Sequence, residues 1–203
     1  MRKAVPSMDK RAERGRATRD QLVGVATELF AQRGFDGTSI EAVLEQAGVS
    51  RGSLYHHFAS KEALFAAALD AVEAHIGEET NALLATLGET DALGALRAGS
   101  LAWIRLAGDP VVQRIVLIDA PAVLGWERWR AIEEENALGT IKVVMQMAAD
   151  EGRITADLVD TFAHVLLATM NELALLIARA SDTQAAQRDA EKAVDEILTR
   201  LLG

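Results

Sequence analysis

The chain has 203 residues, 50% of them hydrophobic and 25% charged, with 3 Pro, 15 Gly and 0 Cys. That composition is globular rather than disordered and long enough to bury a core, and the missing cysteines exclude a disulfide scaffold, a thiolate metal site and a cysteine nucleophile. The net charge of -9 is unevenly placed: residues 1–19 hold seven basic and two acidic groups, whereas residues 61–203 hold 12 basic and 23 acidic ones. A cationic end on an anionic body suits an end that meets a polyanion, and it equally suits a solvated tail.

Few prolines among many Ala, Leu and Glu favour helix over strand. The basic N-terminus carries no apolar run of the secretory kind, so a soluble cytoplasmic protein is expected. The first helix is predicted over Arg16 to Gln32, with Leu22, Val25, Ala26, Leu29 and Phe30 on one apolar face and Gly34 at its end. Thr38 opens a second helix, where Thr38 and Glu41 have capping-box spacing. Gly48 marks a turn needing positive φ, and Ser50 caps a third helix from Arg51 to about Phe58. Ser60 caps a fourth, predicted to reach about Glu78. Two short helices joined through a glycine turn match a helix-turn-helix, and equally an ordinary helical hairpin.

Beyond residue 80 the pattern stays helical and all-α. Segments are predicted over Asp91 to Ala107, from Pro110, over Val123 to Ala149 with Gly139 as a weak point, over Ala156 to Ala180 and over Thr183 to Leu202. Residues 161–178 are apolar nearly all round. Their uninterrupted runs are short and Glu172 would sit mid-membrane, so no membrane span is expected. A helix of this kind buries one face on its own core and another on a partner. The last helix carries Ala190, Val194, Ile197 and Leu201 at matching steps. The two helices 156–180 and 183–202 therefore suit a four-helix bundle made by two subunits, or simple closure of one core.

On the third helix, Ser50, Leu54 and Phe58 fall on one side at about 100° per residue. Gly52, Tyr55 and His56 fall on the other, with Arg51, Ser53 and His57 flanking. Hydroxyl, imidazole and guanidinium groups donate to phosphates and base edges. Thr38, Ser39 and Lys61 stand at the starts of neighbouring helices. From Thr18 to Leu69 the chain resembles the DNA-binding domain of the TetR family of bacterial transcriptional regulators. The resemblance rests on Ala26-x-x-Leu29-Phe30, Gly34-Phe35, Thr38-Ser39-Ile40, Ala47-Gly48-Val49-Ser50, Ser53-Leu54-Tyr55-x-x-Phe58 and Ser60-Lys61-Glu62-x-Leu64.

Residues 1–15, by their charge, are expected to form a disordered basic arm. The resemblance implies a three-helix DNA-binding domain (16–62), a connecting stretch of the fourth helix (63–79) and a C-terminal helical domain (80–203) for ligand binding and dimerisation. It implies phosphate contacts by Thr38, Tyr55, His56 and Lys61, and base reading by Arg51, Gly52 and Ser53, with Ser39 and Ser50 in the same DNA-facing set. A bidentate Arg51–guanine contact discriminates by about 1–3 kcal/mol. The family's partners are a palindromic double-stranded operator, a second copy of the chain and a small-molecule effector that releases a repressor from DNA. His56-His57 departs from the Tyr-His or Tyr-Tyr common there.

Candidate effector residues are His75, Trp103, Trp126 and Trp129, together with Met145, His164, Met170 and Asn171. Each also reads as core or interface, and His164 and Asn171, seven apart, share a helix face. Glu133-Glu134-Glu135 reads as a solvated face. No catalytic or metal motif occurs: there is no H-E-x-x-H, P-loop, G-x-S-x-G or G-x-G-x-x-G. No enzyme, cofactor or metal is expected. A constitutive DNA-binding regulator without ligand control, or an all-helical enzyme with acids far apart in sequence, remain the alternatives. Removing residues 1–15, with their five basic groups, is expected to weaken DNA binding and flatten its dependence on salt. Each lost phosphate contact lowers the log–log slope by about 0.9, and binding isotherms at several salt concentrations measure it.

Overall fold

The structure, a computed structural model, describes residues 8–86 and 90–202, with side chains from residue 12 onward. Among the described residues every regular element is a helix. The chain divides into two compact units, one ending at Ala71 and the other starting at Val72.

In the first unit, α1 spans Met8–Gly37 and is interrupted at Gly34 (φ 73°, ψ 172°). Residues 8–15, expected in an unstructured arm, are helical and continuous with α1; the rest of the arm, residues 1–7, lies outside the described residues. Leu22, Ala26, Leu29 and Phe30 are buried as the helical period requires, each at most 1% exposed. The next helix, α2, spans Ile40–Ala47 and ends at Gly48 (φ 65°, ψ 30°), whose N–H donates to the Leu44 carbonyl. A left-handed cap of this kind favours glycine because it lacks Cβ. The third helix, α3, spans Arg51–His57, capped by Ser50, whose hydroxyl accepts from Ser53 N at 3.2 Å. Lys61–Thr86 forms α4, with Ser60 accepting from Ala63 N. The unit closes on Leu54, Leu64 and three phenyl rings. Phe65 meets Phe30 and Phe35 edge-on, at centroid distances of 5.2 and 5.3 Å.

One expectation is corrected here. Thr38 does not cap α2 with Glu41. Ser39 is the cap, in extended backbone, and its hydroxyl accepts from Ala42 N at 3.1 Å. Thr38 is 1% exposed, and its hydroxyl hydrogen-bonds the carbonyls of Gly34 (2.8 Å) and Leu29 (3.1 Å). A donor already used inside the turn cannot reach a phosphate outside it.

In the second unit, α5 spans Ala92–Leu106 behind the cap Asp91. Helix α6 covers residues 110–124, started by Pro110 behind Asp109, whose carboxylate accepts from Val111 N and Val112 N, and it widens to π geometry over Gln113–Asp119. The single helix predicted from Val123 breaks at Gly125 (φ 83°). Helix α7 then covers residues 126–150, with a π turn over Glu134–Leu138 just before Gly139. After Gly152 (φ 75°) a 3-10 turn, Ala156–Leu158, leads into α8, Val159–Arg179, and α9 follows at Thr183–Leu202. Helix α9 packs on α5, and α8 on α7 and α9.

The inward face of α9 is Ala190, Val194, Leu198 and Leu202, at strict steps of four. Ile197, expected on that face, is instead 39% exposed. Helix α8 buries Ala163, Leu166, Leu167, Met170, Ala174 and Ile177, and turns Val165 and Leu176 outward, each more than half exposed. By length and composition α8 is also long and apolar enough to cross a membrane.

Thr38→Val is expected to lower stability by about 1–3 kcal/mol, as for a buried hydroxyl lost from its acceptors. DNA affinity of the folded variant is expected to match wild type. Denaturant titration and DNA binding on the same sample separate the two effects.

Candidate functional site

A surface and a cavity carry the chemistry. The surface belongs to α2 and α3. A seven-residue helix has room for one buried side, and α3 uses it for Leu54, 0% exposed, with Phe58 at its end 4% exposed. The other positions are exposed or, at Ser53 and His57, half-buried. Tyr55 is 45% exposed, and Arg51, Gly52 and His56 are exposed beside it. Ser39 and Ser50 are exposed too. Their oxygens accept from the helix starts, which leaves each O–H proton to donate outward. A Cβ built on Gly52 meets nothing within 4 Å, so the face is open there.

Arg51 pairs with Glu41 across the turn. The Glu41 carboxyl sits below its ordinary value, held there by its own backbone N–H first and by Arg51 next. Both side chains are more than half exposed, so the pair is weak and exchangeable. Lys61 lies over the Phe35 ring, its Nζ 4.1 Å from the centroid. Of the nine residues expected at a nucleic-acid surface, Thr38 is withdrawn into the core, and Ser53 and Lys61 are half-buried.

The cavity lies wholly within the second unit and has a volume of about 170 Å³. Helices α4, α5, α7 and α8 line it. Trp103, Met170 and Asn171, expected there, are in its wall, and Trp103 Nε1 donates to the Met170 carbonyl at 3.2 Å. The other five expected residues are not. His75 and His164 are exposed, and Trp126 is 61% exposed. Trp129 and Met145 are closed into the core at 1% and 0%. His164 shares a face with Asn171 but stands two turns nearer the helix start, beyond the cavity wall.

The acidic run is corrected as well. Glu133 is not solvated: it is 5% exposed and faces the cavity with Glu73, whose carboxylate accepts from Asn136 Nδ2 at 3.3 Å. Trp129, buried four residues earlier, and Ala137, in the wall four residues later, put Glu133 inside an apolar stripe. That spacing is the signal a reading of the run as surface charge overlooks. Burial pushes the Glu133 carboxyl above its ordinary value of 4.5, while Glu73, Asn171 and Arg130 favour its ionised form.

Residues 22–68 match the profile described as "Bacterial regulatory proteins, tetR family", and residues 93–201 match "Tetracyclin repressor-like, C-terminal domain". The second match alone covers more than half of the chain. The chain belongs to the TetR family. TetR proteins are transcriptional regulators rather than enzymes; members bind DNA, form dimers and take small-molecule effectors. The chain is 40% identical over 60 residues to the HTH-type transcriptional regulator UidR of Escherichia coli K12, covering 30% of this chain and 31% of that one. It is 44% identical over 55 residues to the HTH-type transcriptional repressor KstR2 of Mycobacterium tuberculosis H37Rv, covering 27% and 28%. These matches span less than a third of each relative's own length. Among solved structures, a TetR-family transcriptional regulator from Pectobacterium atrosepticum superposes with a TM-score of 0.82 at 28% identity, covering 94% of this chain and 96% of that one. A TetR regulator from Chloroflexus aurantiacus superposes with a TM-score of 0.72 at 26% identity, covering 93% and 97%.

A carboxyl whose value rises on folding adds stability that is fully present below the unfolded value of 4.5 and is lost as pH rises through the folded one. Glu133→Gln is therefore expected to melt higher than wild type at about pH 8, with the gap closing toward about pH 4. Melting curves at both pH values check it; an equal gap at both means the carboxylate is not penalised by burial.

Proposed function

We propose that this TetR-family chain is a sequence-specific repressor that acts in the cytoplasm as a homodimer on a palindromic operator and is released by a small molecule bound in the C-terminal unit. The outward side of α3 carries the reading. One helix buries Leu54 and sets Arg51, Gly52, Tyr55 and His56 on its outer side to enter a groove, and Ser39 and Ser50 hold hydroxyl donors beside it. Arg51, Gly52 and Ser53 read bases, and Tyr55, His56 and Lys61 hold the backbone. The acidic body argues against general coating of nucleic acid.

Dimerisation is supported by the outward apolar residues Val165 and Leu176 on α8 and Ile197 on α9. These are the residues a closed core would have taken in, and a second copy offers the same surface in return. Two recognition helices then meet half-sites about one helical turn apart, roughly 34 Å. The effector works by population shift, binding the DNA-incompetent state better than the competent one. The cavity supports this reading over a constitutive regulator, which has no use for an apolar pocket with two carboxyl groups in its wall.

Selection of bound duplexes from a random pool tests the proposal. A palindrome is expected to be enriched. Tyr55→Ala is expected to lower operator affinity at least about tenfold through loss of a phosphate anchor, and Arg51→Ala to relax base preference at one position in each half-site. No enrichment with folded protein overturns sequence-specific binding.

A further inference from the structure

We infer that the cavity of the C-terminal unit takes a small protonated organic amine, its nitrogen set against Glu73 and Glu133 and its apolar body along Trp103, Leu166 and Met170. The inference rests on the cavity being the effector site and names the chemistry of that effector.

Charge comes first. The wall includes two carboxyl groups and no Lys, Arg or His. An acyl carboxylate or a phosphate in this space would face two acids with no cation to hold it. Arg130, which favours ionised Glu133, lies outside the wall and already pairs with Glu134 at 3.2 Å.

Asn171 is the second observation. It is 5% exposed, lies in the wall, and its Nδ2 makes no hydrogen bond of full geometry. It nevertheless stands close enough to Glu133 to favour the ionised carboxyl. A buried donor left this way is costly. An ammonium group beside Glu133 would hold that carboxyl ionised, and a carboxylate accepts from the ammonium and from Asn171 together. An ammonium here thus donates to the carboxylates itself and strengthens the acceptor that Asn171 faces.

Size sets the body of the ligand. A cavity of about 150 Å³ lined by apolar groups accepts benzene, and the volume here is about 170 Å³. One ring with a two-carbon arm to the nitrogen fits that space.

Three molecules of nearly one shape separate the charge classes: 2-phenylethylamine, its neutral isostere 2-phenylethanol, and the anion phenylacetate. Each is titrated into the full-length protein by calorimetry. The amine is expected to bind and phenylacetate not to. Glu133→Gln, isosteric and uncharged, is expected to weaken the amine about ten- to a hundredfold and to leave 2-phenylethanol unaffected. Glu73→Gln gives a second reading should the first variant fold poorly. Phenylacetate binding as tightly as the amine, no amine binding to wild type, or amine binding that both variants leave unchanged overturns the inference. Operator affinity, followed by fluorescence anisotropy, separates the two levels. Charge-selective amine binding that leaves DNA bound supports the ligand class and sinks the effector reading. Release by the neutral or anionic molecule does the reverse.

Discussion

A helix of seven residues does not form by itself in water, so what α3 can do depends on how its neighbours hold it. Three local devices do so in unit one. Gly48 turns the chain with positive φ, Ser50 caps the first turn, and Leu54 anchors the middle of the helix in the core. Thr38 plays the matching part for α2 by tying the loop after α1 back onto two of its carbonyls. Gln21 adds a further tie, donating to the carbonyl of Ala47 at 2.9 Å. Arg51, Gly52, Tyr55 and His56 make none of these bonds, and that part of the surface is therefore free to vary while the frame stays fixed.

The first unit was legible because its signals are local. Gly48, Ser50 and the spacing of Leu22, Ala26 and Leu29 each act within a few residues, and the structure uses them as the spacing indicates. Thr38 misled for an instructive reason. Thr38 and Ser39 are both good caps, and only the fold shows that the first has its hydroxyl turned inward.

In the second unit the deciding contacts lie far apart in sequence. Trp129 and Met145 look like lining residues until helices pack over them, and Glu133 looks like surface charge until α4 and α8 close around it. On α9, Ile197 and Leu198 are equally apolar neighbours, and one residue of phase decides which is core. The breaks at Gly125 and in the two π segments shift such phases again, which periodicity alone does not reveal. The same acidic excess serves two ends there. Spread over the body it repels a polyanion, and enclosed by apolar walls it becomes a selective acceptor.

The Arg51–Glu41 pair gives the surface of unit one an internal competitor. A guanidinium that already has a carboxylate must exchange one partner for another on meeting DNA. A lone phosphate offers little more than Glu41 does, so the exchange is close to neutral along most of a duplex. A guanine edge offers two aligned acceptors and wins the exchange outright. On the proposed reading of Arg51 as a base contact, the carboxylate works as a threshold. On that same reading, sequences that fail to exceed it leave Arg51 with Glu41, and the pair favours a bidentate base edge over a single phosphate oxygen.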